Sequence, residues 1–227
     1  MKLSKPQFIT FEGGEGCGKS TQSKLLYEYL LSKNIKAIHT REVGGTVEAE
    51  KIRRLLIYSE LKPMSEVMLV MAARYEHINK VIIPALLDGS WVICDRFVDS
   101  TACYQSGESG LTIENIFELH ETLMTYRPEN PSGANDSGFD IHKVSTKGIM
   151  PDITIFMDVP PSVGLSRATE RGDANKFEDK KLAFHSKVYE RFKTIAAMHA
   201  DRVISIDGAD KTIAEIQEMI RESVFTN

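Results

Sequence analysis

The sequence predicts an α/β protein: a three-layer sandwich in which helices cover both faces of a five-stranded parallel sheet. Short runs of β-branched and aromatic residues alternate with longer helical patterns along the chain. A glycine-rich loop joins the first of these runs to the first helical pattern. The chain has 227 residues, 42% of them hydrophobic and 26% charged, which suffices for one substantial core. We therefore expect a single domain over residues 1–227.

Five runs predict the strands in chain order: Phe8–Phe11, Ala37–Thr40, Trp91–Cys94, Ile153–Val159 and Val203–Ile206. The clearest helical patterns between and after them are Lys19–Lys33, Ser65–Asp88, Lys180–Ala200 and Thr212–Val224. Strands that are joined by helical crossovers must lie parallel, with both faces of the sheet covered. In such sheets ligands bind outside the carboxyl ends of the strands, so functional residues are expected there.

One segment does not fit the alternation. From Arg127 to Pro151 the chain is rich in Asn, Asp, Ser, Gly and Pro and shows little periodicity. Loops of this length are uncommon in compact domains, so we predict a surface insertion near residues 128–150. A tolerated insertion and a loop that contacts a partner both remain open.

Composition excludes several classes of protein. Lys and Arg number 28 against 32 Asp and Glu, so the net charge of −4 gives no basic surface for nucleic acid. The longest apolar run, Val81–Leu87, is too short to span a membrane, and no secretory signal can be drawn. The three cysteines, Cys17, Cys94 and Cys103, lack disulfide or zinc spacing and are expected to be reduced thiols. We expect a cytoplasmic protein that binds neither nucleic acid nor membrane.

The loop after the first strand matches the pattern G-x-x-x-x-G-K-[ST] in its required place between a strand and a helix. Its glycines let backbone N–H groups turn towards an oxyanion, and the helix N-terminus adds its positive dipole end. Lys19 is expected to reach the β- and γ-phosphates of ATP, and the Ser20 hydroxyl to bind Mg²⁺. The ATP-binding candidates are Gly13, Gly14, Glu15, Gly16, Cys17, Gly18, Lys19, Ser20 and Thr21.

A second charged motif follows the third strand, from Asp95 to Gln105. Asp95 can join the Mg²⁺ shell as a strand-end acid, and Arg96 offers a planar fork to a second anion. The alternative is a structural Asp–Arg ion pair at the strand end. Tyr104 and Gln105 in the same segment, together with the P-loop, favour the binding site.

At this point five ordered motifs carry a resemblance over nearly the whole chain: FEGGEGCGKST, TREVGGTVEAEKIR, MAAR, DRFVDSTACYQ and PDITIFMDVPPSVGLSR. The chain resembles the thymidylate kinases, P-loop nucleoside-monophosphate kinases that phosphorylate dTMP to dTDP. The resemblance implies a P-loop kinase-like fold, ATP and Mg²⁺ as cosubstrate and cofactor, and a role in dTTP synthesis. It also implies a homodimer, for which the helix Ser65–Asp88 is a candidate contact surface.

The resemblance also assigns roles to residues. It places Arg96 on the dTMP phosphate, Arg74 on thymine and Tyr104 under the sugar, where it favours deoxyribose. The implied dTMP-binding set is Arg41, Glu42, Arg53, Arg74, Arg96, Thr101, Tyr104 and Gln105. Glu15 matches an acidic residue near the acceptor sugar and phosphate. Because an acid is unfavourable in an anion-binding loop, we expect a cation or a sugar hydroxyl beside it.

A lid near residues 167–180 is expected to supply further cations. Arg167 and Arg171 are four residues apart on one helix face, and Lys176 follows a glycine-containing break. In relatives that lack an arginine in the P-loop the lid supplies the catalytic one, which the resemblance assigns to Arg171. A solvated charged helix face is the alternative. The predicted catalytic set is Glu15, Lys19, Asp95, Arg96 and Arg171.

Three positions depart from the family pattern. Val43 stands where the family has a proline, often cis, so the backbone of that loop is expected to differ. Val70 replaces a phenylalanine that stacks on thymine, and a valine offers no aromatic face. Cys103 replaces a small alanine. None of these departures changes a residue that is assigned to phosphate binding, and the first two concern substrate affinity.

The chemistry supports phosphoryl transfer to a monophosphate. A phosphate monoester is largely dianionic at neutral pH, so the acceptor needs charge neutralisation and no general base. A deoxynucleoside kinase is the nearest rival, and it would need a carboxylate such as Glu42 to deprotonate a sugar hydroxyl. A nucleotide sensor that binds a partner through the loop from Arg127 to Pro151 is a second rival. A nucleic-acid-dependent ATPase is disfavoured because the chain has no basic stripe.

Overall fold

Five strands form one sheet at the centre of the computed structural model, which describes residues 6–126, 139, 147–171 and 181–226. The strands are β1 (Phe8–Glu12), β2 (Ala37–Arg41), β3 (Trp91–Asp95), β4 (Ile153–Asp158) and β5 (Val203–Asp207). All neighbouring pairs are parallel, and their order across the sheet is β2-β3-β1-β4-β5. The predicted fold class is confirmed, and each predicted strand end lies within one residue of the observed one.

Helices connect and cover the strands. In the described part of the chain they are α1 (Lys19–Ser32), α2 (Val47–Tyr58), α3 (Pro63–His77), α4 (Ile83–Leu87), α5 (Val98–Gln105), α6 (Ile113–Leu123), α7 (Pro161–Arg171), α8 (Leu182–Met198) and α9 (Ile213–Thr226).

The predicted helix Ser65–Asp88 is not one regular α-helix. A π-helical turn, Ile78–Ile82, lies between α3 and α4, and there the N–H of Ile83 bonds to the carbonyl of Ile78, five residues back. Pro84 follows directly and has no N–H to give to the carbonyl of Lys80, so the α-helical hydrogen-bond pattern is interrupted in this turn.

The core consists of two layers, one on each side of the sheet. Strand residues alternate between them: Phe8 packs on the α3, α5 and α8 side, while Ile9 and Phe11 pack on the α1 and α9 side. β3 alternates in the same way, with Val92 on the first side and Ile93 on the second. Because both faces are covered, each strand is apolar along nearly its whole length.

The order of the strands creates a crevice at their carboxyl ends. The chain leaves β1 towards β2 and β3 on one side and reaches β4 on the other. In the register Phe11 pairs with Asp95, and Glu12 pairs with Phe156. The loops after β1 and β3 therefore start side by side, which is where a ligand is expected in such a sheet.

Three further observations bear on the sequence-based expectations. No helix in the described ranges is long and apolar enough to cross a bilayer. Cys17, Cys94 and Cys103 are buried free thiols, as predicted. Of the insertion near residues 128–150, all but residues 139 and 147–150 lies outside the described residues.

Candidate active site

The P-loop turns from β1 into α1. Gly18, directly before the helix, has a φ of 95°, in the left-handed region that glycine adopts without steric cost. Lys19 is buried, and its Nζ donates a hydrogen bond to the carbonyl oxygen of Gly14 at 2.5 Å. The ammonium group thus lies across the loop whose N–H groups are predicted to bind phosphate.

Ser20 and Asp95 meet at the junction of the two loops. The Ser20 hydroxyl donates a hydrogen bond to Oδ2 of Asp95. Oδ1 of Asp95 is buried and has no hydrogen-bond partner among the described residues. A hydroxyl and a carboxylate with a free oxygen suit Mg²⁺, a hard cation that takes oxygen ligands and keeps part of its water shell.

Arg96 connects the acceptor side to the P-loop. Its φ of 73° is unusual for a residue other than glycine, and it lies in the short connection between β3 and α5. Its Nη2 donates to Oε1 of Glu15 at 2.8 Å, and its Nη1 donates to the carbonyl of Gly13 at 3.2 Å and to Oγ of Ser100 at 3.1 Å. The guanidinium also lies 5.1 Å from the ring centroid of Tyr104.

Glu15 has the cation partner that its place in an anion-binding loop predicts. Burial raises its pKa, but the positive charges of Arg96 and Lys19 outweigh burial and lower it to about 2. The Tyr104 hydroxyl donates a further hydrogen bond to Oε1 of Glu15 at 2.9 Å. The carboxylate is therefore ionised at neutral pH and links the P-loop to α5.

Glu12 is a buried acid that the sequence analysis did not single out. Its Oε1 accepts a hydrogen bond from the N–H of Phe97 at 2.6 Å, and its Oε2 accepts one from the Ser100 hydroxyl at 2.5 Å. Burial, followed by the negative charge of Asp99, raises its pKa to about 7. An acid at the end of an otherwise apolar strand is the signal that could have identified it.

A buried ion pair forms the far wall of the acceptor side. Arg74 Nε donates to Oε2 of Glu42 at 2.7 Å, and its Nη2 donates to the Thr101 hydroxyl at 2.8 Å. Nδ1 of His77 lies 3.0 Å from Oε1 of Glu42. Burial opposes ionisation of Glu42, but Arg74 and His77 lower the pKa of its carboxyl.

The loop after β2 closes this wall. The Glu42–Val43 peptide bond is cis although Val43 is not a proline, so the expected difference in backbone does not arise at this bond. Nη1 of Arg53 donates to the carbonyl of Val43 at 3.0 Å. Burial, together with the nearby charge of Arg41, lowers the pKa of the Arg53 guanidinium.

These groups surround a cavity of about 160 Å³. Among the residues of the predicted acceptor site, the cavity lining includes Glu15, Glu42, Arg53, Arg74, Arg96, Thr101, Tyr104 and Gln105. It also contains Val43 and Val70, which the sequence analysis singled out as departures from the family pattern. Leu56, Ile57, Phe97 and Ser100 line the cavity without a predicted role. The spacing of Leu56 and Ile57 after Arg53, three and four residues on one helix, could have indicated them.

Arg41 is the predicted acceptor residue that lies apart from this lining. Its Nη2 contacts both carboxylate oxygens of Glu50, at 3.0 and 3.1 Å, on the surface of the protein. Arg41 therefore lies at the rim of the site, tied to α2.

The predicted lid is described only in part. Arg167 does not point into solvent, because its Nη2 donates to the carbonyl of Ala209 at 2.6 Å and its guanidinium also contacts the carbonyl of Gly208. It thereby ties α7 to the loop after β5. The side chain of Arg171 and the whole of Lys176 lie outside the described residues.

Comparison with known proteins matches this architecture. The family model for thymidylate kinase matches residues 11–132 and 129–220. A thymidylate kinase from Rickettsia bellii is 45% identical over 221 residues, which cover 97% of each chain, and one from Rickettsia africae is 46% identical over 220 residues, which cover 97% of this chain and 98% of the relative. The crystal structure of thymidylate kinase from Ehrlichia chaffeensis superposes with a TM-score of 0.68 at 31% identity, over 97% of this chain and 98% of that one.

Proposed function

The chain belongs to the thymidylate kinase family and phosphorylates dTMP to dTDP with ATP, and we propose that the two neighbouring anion sites described above carry this reaction. The observation that supports it most is the position of Arg96, which contacts both the P-loop and the acceptor cavity. A guanidinium there can bind the acceptor phosphate next to the donor phosphates. Holding two anions in line against their mutual repulsion is the main task of such an enzyme.

We propose that Mg²⁺ is held by Ser20 and Asp95 together with the phosphates of ATP. The free, buried Oδ1 of Asp95 is the acceptor that supports this assignment. When bound, the ion neutralises charge on the phosphate oxygens. Lys19, which directly precedes Ser20 in the sequence, would contact the β- and γ-phosphates.

The remaining roles are assigned by position. Arg96 would orient the dTMP phosphate, and Tyr104 would pack against the sugar. Arg74 would contact thymine from the buried wall, where Glu42 and Thr101 hold its guanidinium rigidly. We further propose that Arg53, Gln105 and the ionised Glu15 complete the acceptor pocket.

We propose that Arg171, the last residue of α7, supplies the further cation for the transferring phosphoryl group, with Lys176 supporting it. The described site offers Lys19 and Arg96 but no arginine within the P-loop. Arg167, one turn earlier on α7, is occupied by the carbonyls of Gly208 and Ala209, so it anchors the helix from which the proposed lid over residues 167–180 would extend.

The environment of Glu42 disfavours thymidine as the acceptor. A deoxynucleoside kinase needs a carboxylate base for the sugar hydroxyl. One carboxylate oxygen of Glu42 is bonded to Arg74 and the other to His77. Burial raises the pKa of the carboxyl, but Arg74 and His77 outweigh burial and lower it. A carboxylate in this state is a weak base, whereas the dianionic phosphate of dTMP needs none.

The test is an assay of ADP release with ATP and thymidine, dTMP, dUMP or CMP as acceptors. We expect turnover with dTMP and none with thymidine. Lys19→Met serves as the control for P-loop chemistry and should abolish turnover while the far-ultraviolet circular dichroism stays unchanged. Turnover of thymidine without turnover of dTMP would favour the deoxynucleoside kinase, and equal ADP release by wild type and variant with every acceptor would favour a nucleotide sensor.

We also propose that the protein is a homodimer. Helices α2 and α3 pack on each other and leave two stripes of large apolar side chains exposed: Val47, Leu55 and Tyr58 on α2, and Met64, Met68 and Tyr75 on α3. Each stripe follows helical spacing, which is the pattern of a helix with a second apolar face. The buried free thiols support our proposal of a reducing, cytoplasmic compartment.

A further inference from the structure

His185 is a buried histidine to which the reaction described above assigns no role. It lies in the first turn of α8 and is only 4% exposed. Its Nε2 is buried and has no hydrogen-bond partner among the residues that the structure describes. Buried polar atoms are nearly always paired, so one without a partner calls for a ligand or another explanation.

The packing of α8 shows where this side chain lies. Phe192 and Tyr189 pack on Phe156 of β4, with ring centroids 5.5 and 6.4 Å apart. The Tyr189 hydroxyl donates to Oδ1 of Asp158, the last residue of β4, at 2.6 Å. The helix therefore runs antiparallel to β4, and its N-terminal turn passes beyond the carboxyl end of the sheet. His185 precedes Tyr189 by one turn, about 6 Å along the axis.

His185 is connected to the cavity lining through Phe184 and Tyr104. Its ring contacts that of Phe184, with centroids 5.5 Å apart, and Phe184 contacts Tyr104, at 6.1 Å. Tyr104 in turn donates its hydroxyl hydrogen to Glu15 of the P-loop. Burial raises the pKa of Glu15, but nearby positive charges, first those of Arg96 and Lys19, lower it to about 2. His185 is also among the groups whose positive charge lowers this pKa.

We propose that Nε2 of His185 donates a hydrogen bond to a phosphate oxygen of the bound nucleotides, at the junction of P-loop and acceptor cavity. This site rests on the proposed phosphotransfer function and adds a residue to it. Both the imidazolium and the neutral ring with a proton on Nε2 can donate such a bond. A phosphate oxygen would give the unpartnered nitrogen its acceptor, and a bond to a charged group is among the stronger ones.

Two substitutions separate this role from a packing role. His185→Phe keeps an apolar ring of similar size and removes the donor, whereas His185→Gln keeps an N–H donor near the position of Nε2. We expect His185→Phe to lower kcat/KM for dTMP about ten- to a hundredfold, the usual effect of losing a hydrogen bond to a charged group. His185→Gln should stay within roughly fivefold of wild type, and the urea midpoint of His185→Phe should not fall, because the change removes an unpaired buried nitrogen.

His199 provides a matched control. It follows the other end of α8, its Nε2 is likewise buried without a partner among the described residues, and its ring contacts Phe117 at 5.1 Å, away from the site. His199→Phe is therefore expected to leave kcat/KM unchanged. Wild-type kcat/KM in His185→Phe, or equal losses in His185→Phe and His185→Gln, would overturn the proposal.

A binding measurement on the wild-type protein does not depend on any variant. Long-range ¹H–¹⁵N spectra of the histidine rings should show a change in the Nε2 resonance of His185 when a non-hydrolysable ATP analogue and dTMP are added together, with His199 unmoved. An unchanged His185 resonance at saturation would exclude the contact. Turnover of dTMP by the wild type tests the proposed function separately. A wild type that turns over dTMP with an unchanged His185 resonance would contradict this inference alone, whereas a wild type without turnover of dTMP would contradict the proposed function.

Discussion

Arg96 occupies a left-handed backbone conformation that costs free energy in any residue except glycine, so its surroundings must hold it there. Glu12, the last residue of β1, holds this conformation in place. One of its carboxylate oxygens binds the N–H of Phe97, the residue after Arg96, and the other binds Ser100, which accepts a hydrogen bond from the Arg96 guanidinium. A buried acid at the end of β1 thus fixes both the backbone and the side chain of the proposed acceptor-phosphate residue.

This arrangement predicts a pH dependence of stability. Burial and then Asp99 raise the pKa of Glu12 from 4.5 to about 7, so between these values the folded state binds more protons than the unfolded state. The stabilisation by the protonated acid is full below pH 4.5 and is lost as the pH rises through 7. Relative to Glu12→Gln, the wild type should lose roughly 2.5 kcal/mol of unfolding free energy between pH 5 and 8.

Urea titrations of both proteins at several pH values measure this difference. His120, whose pKa burial lowers to about 3, makes stability rise with pH from about 3 to 6.5, which partly masks the effect of Glu12 in the wild type alone. Its contribution is common to both proteins and cancels in their difference. Parallel stability curves for wild type and Glu12→Gln would show that Glu12 does not titrate in this range.

The residues of the site were predictable where a motif names a chemical type at a fixed spacing. Lys19, Asp95 and Arg96 follow directly from strand-loop positions, and Glu15 had to have a cation beside it because it stands in an anion-binding loop. Glu12 was not predicted, because no short motif contains its partners Phe97 and Ser100, and nothing in the sequence singled out His185. Burial is a property of the packed molecule, and a single acid or histidine in a sequence does not indicate it.

At the scale of elements, the P-loop and α7 approach each other more closely than any sequence pattern indicates. Gly16 has a φ of 67°, and a Cβ placed on it would lie 1.8 Å from the carbonyl oxygen of Gly164. A Cβ on Gly164 would in turn lie 2.2 Å from the carbonyl oxygen of Glu15. The two glycines let the backbone of α7 touch the loop, so the helix that leads to Arg171 is positioned by the ATP-binding loop itself.

Gly16→Ala should therefore displace α7 or distort the loop. We expect a loss of more than about 1 kcal/mol of unfolding free energy and at least a tenfold weaker affinity for ATP, measured by urea unfolding and by titration with a fluorescent ATP analogue. Gly110→Ala is the control, because Gly110 also has a left-handed φ, a Cβ there meets no atom within 4 Å, and the residue lies outside the P-loop. Equal ATP affinity in the two variants would show that the contact with α7 does not matter for binding.

The extent of each strand was predictable because strands buried on both faces are short apolar runs bounded by polar or turn residues. The π-helical turn at Ile78–Ile82 was not predicted, although Pro84 was visible in the sequence. A proline in a helical pattern indicates that a hydrogen bond is missing, but it does not determine whether the helix ends, kinks or takes a wider turn.

At the scale of the whole molecule, the alternation of strands and helices was enough to predict the layers, because parallel strands require crossovers that cover both faces. The surface was harder to predict. The exposed stripes on α2 and α3 combine residues from two helices, and only their packing on each other shows that they can form one apolar surface. The helix proposed from sequence as a dimer contact begins at Ser65, so it contains Met68 and Tyr75 of the α3 stripe but not Met64.

The homodimer predicts a specific effect of charge on this surface. Met68 is 65% exposed at the middle of α3, and Met68→Glu would place a carboxylate in an interface that excludes water. We expect the mass in analytical ultracentrifugation to fall from two chains to one at micromolar concentration.

Ile213→Glu is the control: Ile213 is 58% exposed at the start of α9, on the opposite side of the sheet, and its substitution should leave the mass unchanged. A wild type that sediments as a single chain, or a Met68→Glu variant that still sediments as two, would show that the stripes serve another purpose. Because Val70 and Arg74 of α3 line the acceptor cavity, loss of the dimer should raise the KM for dTMP more than it changes the KM for ATP.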